Sequence, residues 1–204
     1  MKKILISQRR DICNQRDEIR DALDVRWANI LFNLDLLPVP ICSELAGRNG
    51  YLKELSPDCI LLSGGNSIYE SPKRDLIEKE LLDHASSYKI PVLGVCRGMQ
   101  MLNTYLGGKL INVENHVGID HNLKGDWVGV KGYQKVNSYH DQAVDEASLP
   151  NSLEILARAE DGIIEAIRHK ELPWLGIMWH PEREPEINKI DHEVISSLFK
   201  NKKI

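Results

Sequence analysis

An apolar run, Ile90-Pro91-Val92-Leu93, passes without a polar break into Gly94-Val95-Cys96-Arg97-Gly98. The run reads as a buried strand, and the glycines on either side of Cys96 permit a sharp turn from that strand into a helix. Such an elbow lifts its central side chain clear of the backbone, where a substrate can reach it. The usual residue in this turn is serine. Here it is a thiol at a helix N-terminus, where the helix dipole and the free N–H groups favour the thiolate. The next N–H, that of Arg97, is placed to bind a developing oxyanion. The plain alternative is a structural cysteine buried in a parallel strand, and the paired glycines weigh against it.

A second apolar run, Trp174-Leu175-Gly176-Ile177-Met178-Trp179, ends in His180-Pro181-Glu182. A cysteine nucleophile requires an imidazole within hydrogen-bond reach, and the imidazole requires a carboxylate to fix its tautomer. His180 and Glu182 supply both, with a proline stiffening the backbone between them. Their place at a strand end is where parallel sheets carry their sites. Cys96, His180 and Glu182 are therefore the expected catalytic set.

Four segments together resemble the class I glutamine amidotransferase superfamily. They are Gly94 to Gln100, Trp179 to Glu182, Leu61-Leu62-Ser63-Gly64-Gly65-Asn66, and Val136-Asn137-Ser138-Tyr139-His140-Asp141-Gln142. The last resembles the γ-glutamyl hydrolase-like branch. The resemblance implies that Cys96 attacks the carbonyl carbon of a γ-glutamyl group, that His180 moves the proton and that Glu182 orients His180. It implies an oxyanion hole made by the N–H groups of Gly65 and Arg97. Gln100, Asn137, Ser138, Tyr139, His140, Asp141 and Gln142 are implied to line the glutamyl pocket. Arg97 stands where glutamine-using members commonly have Leu, which points to a different leaving group. Within the branch the chain is similar to amidohydrolases of capsule phosphoramidate synthesis, which cut a γ-glutamyl–cytidine diphosphate conjugate. The alternatives are a glutaminase subunit that feeds ammonia to a separate synthetase, and a non-catalytic relative of the fold.

Composition agrees with a compact enzyme. The 204 residues suit one α/β domain, spanning 1–204, with a sizeable core. A net charge of −4 gives no general attraction to nucleic acid. The sequence has no apolar stretch of about 18 residues, so no membrane span is expected. Cys13, Cys42, Cys59 and Cys96 lack paired spacing and read as free thiols of a reducing cytoplasm. The chemistry calls for no cofactor.

Strands are expected at 2–7, 37–41, 58–63, 91–95, 153–158, 163–168 and 174–179, and helices at 26–35, 72–88, 97–106 and 187–200. This alternation predicts a single domain with a central, mainly parallel sheet and helices on both faces. The class I amidotransferase resemblance implies the same flavodoxin-like arrangement.

Two segments read as irregular. Residues 8–24 carry Arg9, Arg10, Arg16 and Arg20 beyond the carboxyl end of the first strand. That is the ligand edge of such a sheet, and arginine forks bind phosphate oxygens in pairs. Arg9, Arg10 and Arg16 are therefore expected to hold an anionic, nucleotide-linked leaving group. Residues 114–135 contain His116 and His121. No further ligand stands at metal-binding spacing beside them, so they read as ordinary polar residues of a lid, and no metal is expected.

Overall fold

In the computed structural model, which describes residues 1–127, 130–131 and 135–202, the alternation becomes a layered α/β fold. The central sheet has seven strands. Five are parallel: β1 (Lys2–Ile6), β4 (Leu36–Pro40), β5 (Cys59–Leu62), β6 (Val92–Val95) and β13 (Trp174–Ile177). At one edge β11 (Leu153–Arg158) and β12 (Ile164–His169) add antiparallel pairs, giving the order β11-β12-β13-β6-β5-β1-β4. A turn at Glu160-Asp161-Gly162 joins β11 to β12, with Gly162 at φ +96°.

Strand residues alternate between two cores, as the period of two requires. Ile4, Ile6, Leu61, Leu93, Val95 and Ile177 face one cluster, with Trp27 and Leu31 of α1 (Arg26–Asn33) and Leu198 and Phe199 of α5 (Lys189–Asn201). Leu5, Ile60, Leu62, Val92 and Trp174 face the other. There they meet Ile77, Leu81 and Leu82 of α3 (Pro72–Tyr88) and Met101 and Leu102 of α4 (Arg97–Tyr105). A short helix, α2 (Tyr51–Leu55), packs Tyr51, Leu52 and Leu55 against this second cluster.

Three small ribbons depart from the expected loops. Residues 8–24 are not irregular: β2 (Arg9–Cys13) and β3 (Glu18–Ala22) form a hairpin. Its outer face carries Ile12 and Ile19, paired across the strands and both exposed. Charged partners stand two apart on each strand, Arg9 with Asp11 and Glu18 with Arg20, which obscures the apolar alternation of a strand. The second expected loop contains β8 (Val117–His121), which pairs antiparallel with β9 (Val136–Tyr139). A third ribbon joins β7 (Leu110–Asn112) to β10 (Gln142–Val144). The described residues include no helix long and apolar enough to cross a membrane.

Candidate active site

The elbow forms as the glycines dictate. Cys96 directly follows β6 and caps α4 at φ 51°, ψ −105°, a backbone state that side chains rarely adopt. Its N–H donates to the Ile177 carbonyl of β13 at 2.7 Å, which ties the elbow to the strand leading to His180. The turn has no room for a Cβ on either side. One on Gly98 would lie 2.1 Å from the Leu62 carbonyl oxygen, and one on Gly94 would lie 2.5 Å from the Gly98 backbone. Gly64 is equally constrained, because a Cβ there would meet the His180 ring at 2.7 Å.

His180 is buried beyond the end of β13, and its Nδ1 lies 2.7 Å from Glu182 Oε1. The other ring nitrogen, Nε2, is buried with no hydrogen-bond partner among the described residues, and the ring lines the same cavity as Cys96. Burial alone would lower the pKa of His180, but the neighbouring Cys96 thiol and the Glu182 carboxylate override it and push the value up to about 9. The backbone of His180 is held by one amide: Asn137 Nδ2 donates to its carbonyl at 2.9 Å, and its N–H donates to Asn137 Oδ1 at 2.9 Å. Tyr139 stands edge-on to the imidazole, with the Arg183 guanidinium 4.2 Å above the tyrosine ring.

Gly65, at φ +85°, and Arg97 line the same cavity as Cys96. Behind them lies a buried ion network. Arg74, itself fully buried, donates to the carbonyls of Ser63, Gly64 and Gly65 and pairs with Glu78. Glu78 pairs in turn with Arg97, which also meets Asp75. Burial would raise the Glu78 carboxyl, but Arg97 and Arg74 hold it below the usual carboxylate range. Burial brings the Arg74 guanidinium down to about 10 despite Glu78. The network ties the glycine loop of β5 to the first turn of α4. The Arg97 side chain is thus engaged away from the substrate cavity, and the expectation that it shapes the leaving group is corrected.

The expected substrate residues divide. Gln100, Tyr139, His140, Asp141 and Gln142 line the cavity beside Cys96, with Gln100 Nε2 donating to the Gln142 carbonyl at 2.8 Å. Asn137 and Ser138 do not line it. Both are buried beneath the strand, Asn137 clamping His180 and Ser138 Oγ donating to the His116 carbonyl at 2.6 Å. Of the arginines, only Arg9 reaches the cavity, where it lies against Gly65. Arg10 turns away to Ser43 and Glu44, and Arg16 sits exposed at the hairpin turn. Arg183 lines the cavity and had not been expected, although its place beside Glu182 was a usable signal. A second, adjoining cavity shares Arg9, Gly65, His180 and Arg183 with the first and is also lined by Asp24 and Trp27.

The chain belongs to the glutamine amidotransferase class-I family, whose model matches residues 16–199. Among curated relatives it is similar to the "Gamma-glutamyl-CDP-amidate hydrolase" of Campylobacter jejuni, at 38% identity covering 88% of this chain and 90% of that protein. It is also similar to the "Aminodeoxychorismate/anthranilate synthase component 2" of Bacillus subtilis, at 34% identity over 64% of this chain and 68% of that protein. A crystal structure of a glutamine amidotransferase from Thermotoga maritima shares the fold, with a TM-score of 0.67 at 19% identity. It covers 100% of this chain and 86% of that one.

Proposed function

We propose that the protein is a cysteine hydrolase that cleaves a γ-glutamyl amide bond, with a γ-glutamyl nucleotide conjugate as the preferred substrate. The observation that carries this reading is Cys96 on its strained elbow beside the buried His180–Glu182 pair. The Cys96 thiolate adds to the γ-carbonyl carbon, and the oxyanion is received by the N–H groups of Gly65 and Arg97. Collapse breaks the carbon–nitrogen bond as His180 gives its proton to the leaving nitrogen. Water, deprotonated by His180, then opens the thioester and releases glutamate. The glutamyl part occupies the cavity of Gln100 and Tyr139–Gln142. The leaving group extends past His180 into the adjoining cavity, where Arg9 and Arg183 supply positive charge. A cytidine diphosphoramidate leaving group fits that charge and agrees with the name of the Campylobacter relative.

The test is glutamate release from a panel of γ-glutamyl-CDP-amidate, neutral γ-glutamyl amines and free glutamine. The expected order places the nucleotide conjugate far ahead. Glutamine turnover equal to the best conjugate would favour the glutaminase-subunit alternative, in keeping with the Bacillus relative. Arg9→Gln and Arg183→Gln should each lower kcat/KM for the nucleotide conjugate about tenfold or more, since a charge-assisted hydrogen bond contributes about 1.5–3 kcal/mol. Arg16→Gln, at the exposed hairpin turn, should behave as wild type. Wild-type values for both Arg9 and Arg183 variants would remove the anion from the reading.

The charge of His180 sets the pH range. Its raised pKa keeps the ring protonated at neutral pH, and the proton is lost as pH rises through about 9. The alkaline limb of kcat/KM should therefore fall near pH 9. A limb near 6.5, the value of an unperturbed imidazole, would contradict the pairing.

A further inference from the structure

Below the floor of the glutamyl cavity, four ionisable side chains from distant parts of the chain converge. His116 precedes β8, His121 ends it, His140 follows β9, and Glu165 lies on β12. All four are buried, at 2%, 9%, 3% and 0% exposure. One nitrogen or oxygen from each lies within 4.8 Å of all the others. Around Glu165 Oε1 stand His140 Nε2 at 3.3 Å, His121 Nε2 at 3.5 Å and His116 Nδ1 at 3.7 Å. A tetrahedral zinc ion with bonds of 2.0–2.1 Å separates its ligand atoms by about 3.4 Å.

A second observation is independent of that spacing. His116 Nδ1, His121 Nε2 and Glu165 Oε2 are fully buried with no hydrogen-bond partner among the described residues. Buried polar atoms are otherwise almost always satisfied. The opposite ring nitrogens of two of the histidines are meanwhile anchored. His116 Nε2 meets Asp161 Oδ2 at 2.8 Å, and His140 Nδ1 meets the Gln142 carbonyl at 3.1 Å. Metal-bound histidines are oriented in this way, with one nitrogen fixed by a carboxylate or carbonyl and the other turned inward.

We propose that His116, His121, His140 and Glu165 bind one divalent transition-metal ion, zinc by preference, in a closed four-ligand structural site. Three imidazoles and a carboxylate suit zinc, and four protein ligands leave no open position for chemistry. The ion joins β8, the segment after β9, and β12. It thereby pins Tyr139–Gln142, which line the glutamyl cavity, onto the central sheet. The two histidines of the expected lid lacked ligands nearby in sequence, and the fold supplies both from elsewhere.

The purified protein should carry close to one zinc per chain by elemental analysis, keep it through dialysis and lose it to a strong chelator. Restoring zinc to the stripped protein should raise its Tm. Cobalt in place of zinc should give visible d–d bands without the near-ultraviolet thiolate charge transfer that binding at Cys96 would produce. Asp161→Asn should weaken zinc binding about 10–100-fold by releasing His116. His121→Gln and Glu165→Gln should abolish the zinc-dependent rise in Tm, while Cys96→Ser should retain it. If either ligand variant fails to fold, the wild-type metal content and cobalt spectrum still decide the matter. The proposal is overturned if the stripped wild-type protein takes up no ion, if zinc leaves its Tm unmoved, or if only Cys96→Ser abolishes binding.

Discussion

Replacing Cys96 by serine should lower glutamate release on the order of a thousandfold or more while the protein melts at its normal temperature. The geometry is kept, because serine is nearly isosteric and the elbow is shaped by Gly94 and Gly98 rather than by the thiol. What is lost is the ionised nucleophile, since a hydroxyl does not give up its proton to His180 as a thiol does. A glutamate-derived electrophile should correspondingly label Cys96 alone. Cys59 is buried and its thiol is pushed up to about 12 by that burial, so it stays unreactive. Near-normal turnover of Cys96→Ser, or labelling of Cys13 or Cys42 in its place, would refute the assignment.

The second large effect is expected away from the thiol. Arg74→Met removes a buried charge that pairs with Glu78 and donates to three successive carbonyls of the Ser63–Gly65 loop. Breaking a buried pair from one side costs about 3–5 kcal/mol. In a chain of this size that lowers Tm by on the order of 10 °C. The loop that presents Gly65 N–H also loses its anchor, so kcat should fall by about 10²–10³, the range for losing one oxyanion donor. Calorimetry and steady-state kinetics on the same preparation check both. A variant that melts within about 2 °C of wild type and turns over normally would show that the loop holds itself.

Much of this was legible in the sequence. The inner parallel strands β5, β6 and β13 are unbroken apolar runs of the kind a sheet covered on both faces demands, and every strand of the central sheet was read within a residue or two of its position. The elbow and the His180-Pro181-Glu182 turn were legible because their chemistry is local. What was not legible depended on distance. The β2–β3 hairpin was hidden because its alternate positions carry paired charges rather than apolar side chains. Asn137 appeared to be a pocket residue, yet its partner is a backbone 43 residues away. Arg97 appeared to face the substrate, yet its partners, Asp75 and Glu78, lie on another helix. Local spacing could not show that His140 and Glu165 join His116 and His121.

The ion network also bears on how such a chain can change over generations. Arg74, Asp75, Glu78 and Arg97 are locked in mutual charge balance, so no one of them can drift by itself. A leucine at position 97 would leave Arg74 as the one arginine paired with Glu78 and strip Asp75 of its ion-pair partner. Such a substitution becomes tolerable only after, or together with, neutralising changes on α3. The four positions are thus expected to change together. Relatives with an apolar residue after the nucleophile should differ at the α3 positions as well, and grafting that residue singly into this chain should yield an unstable protein rather than one with altered specificity.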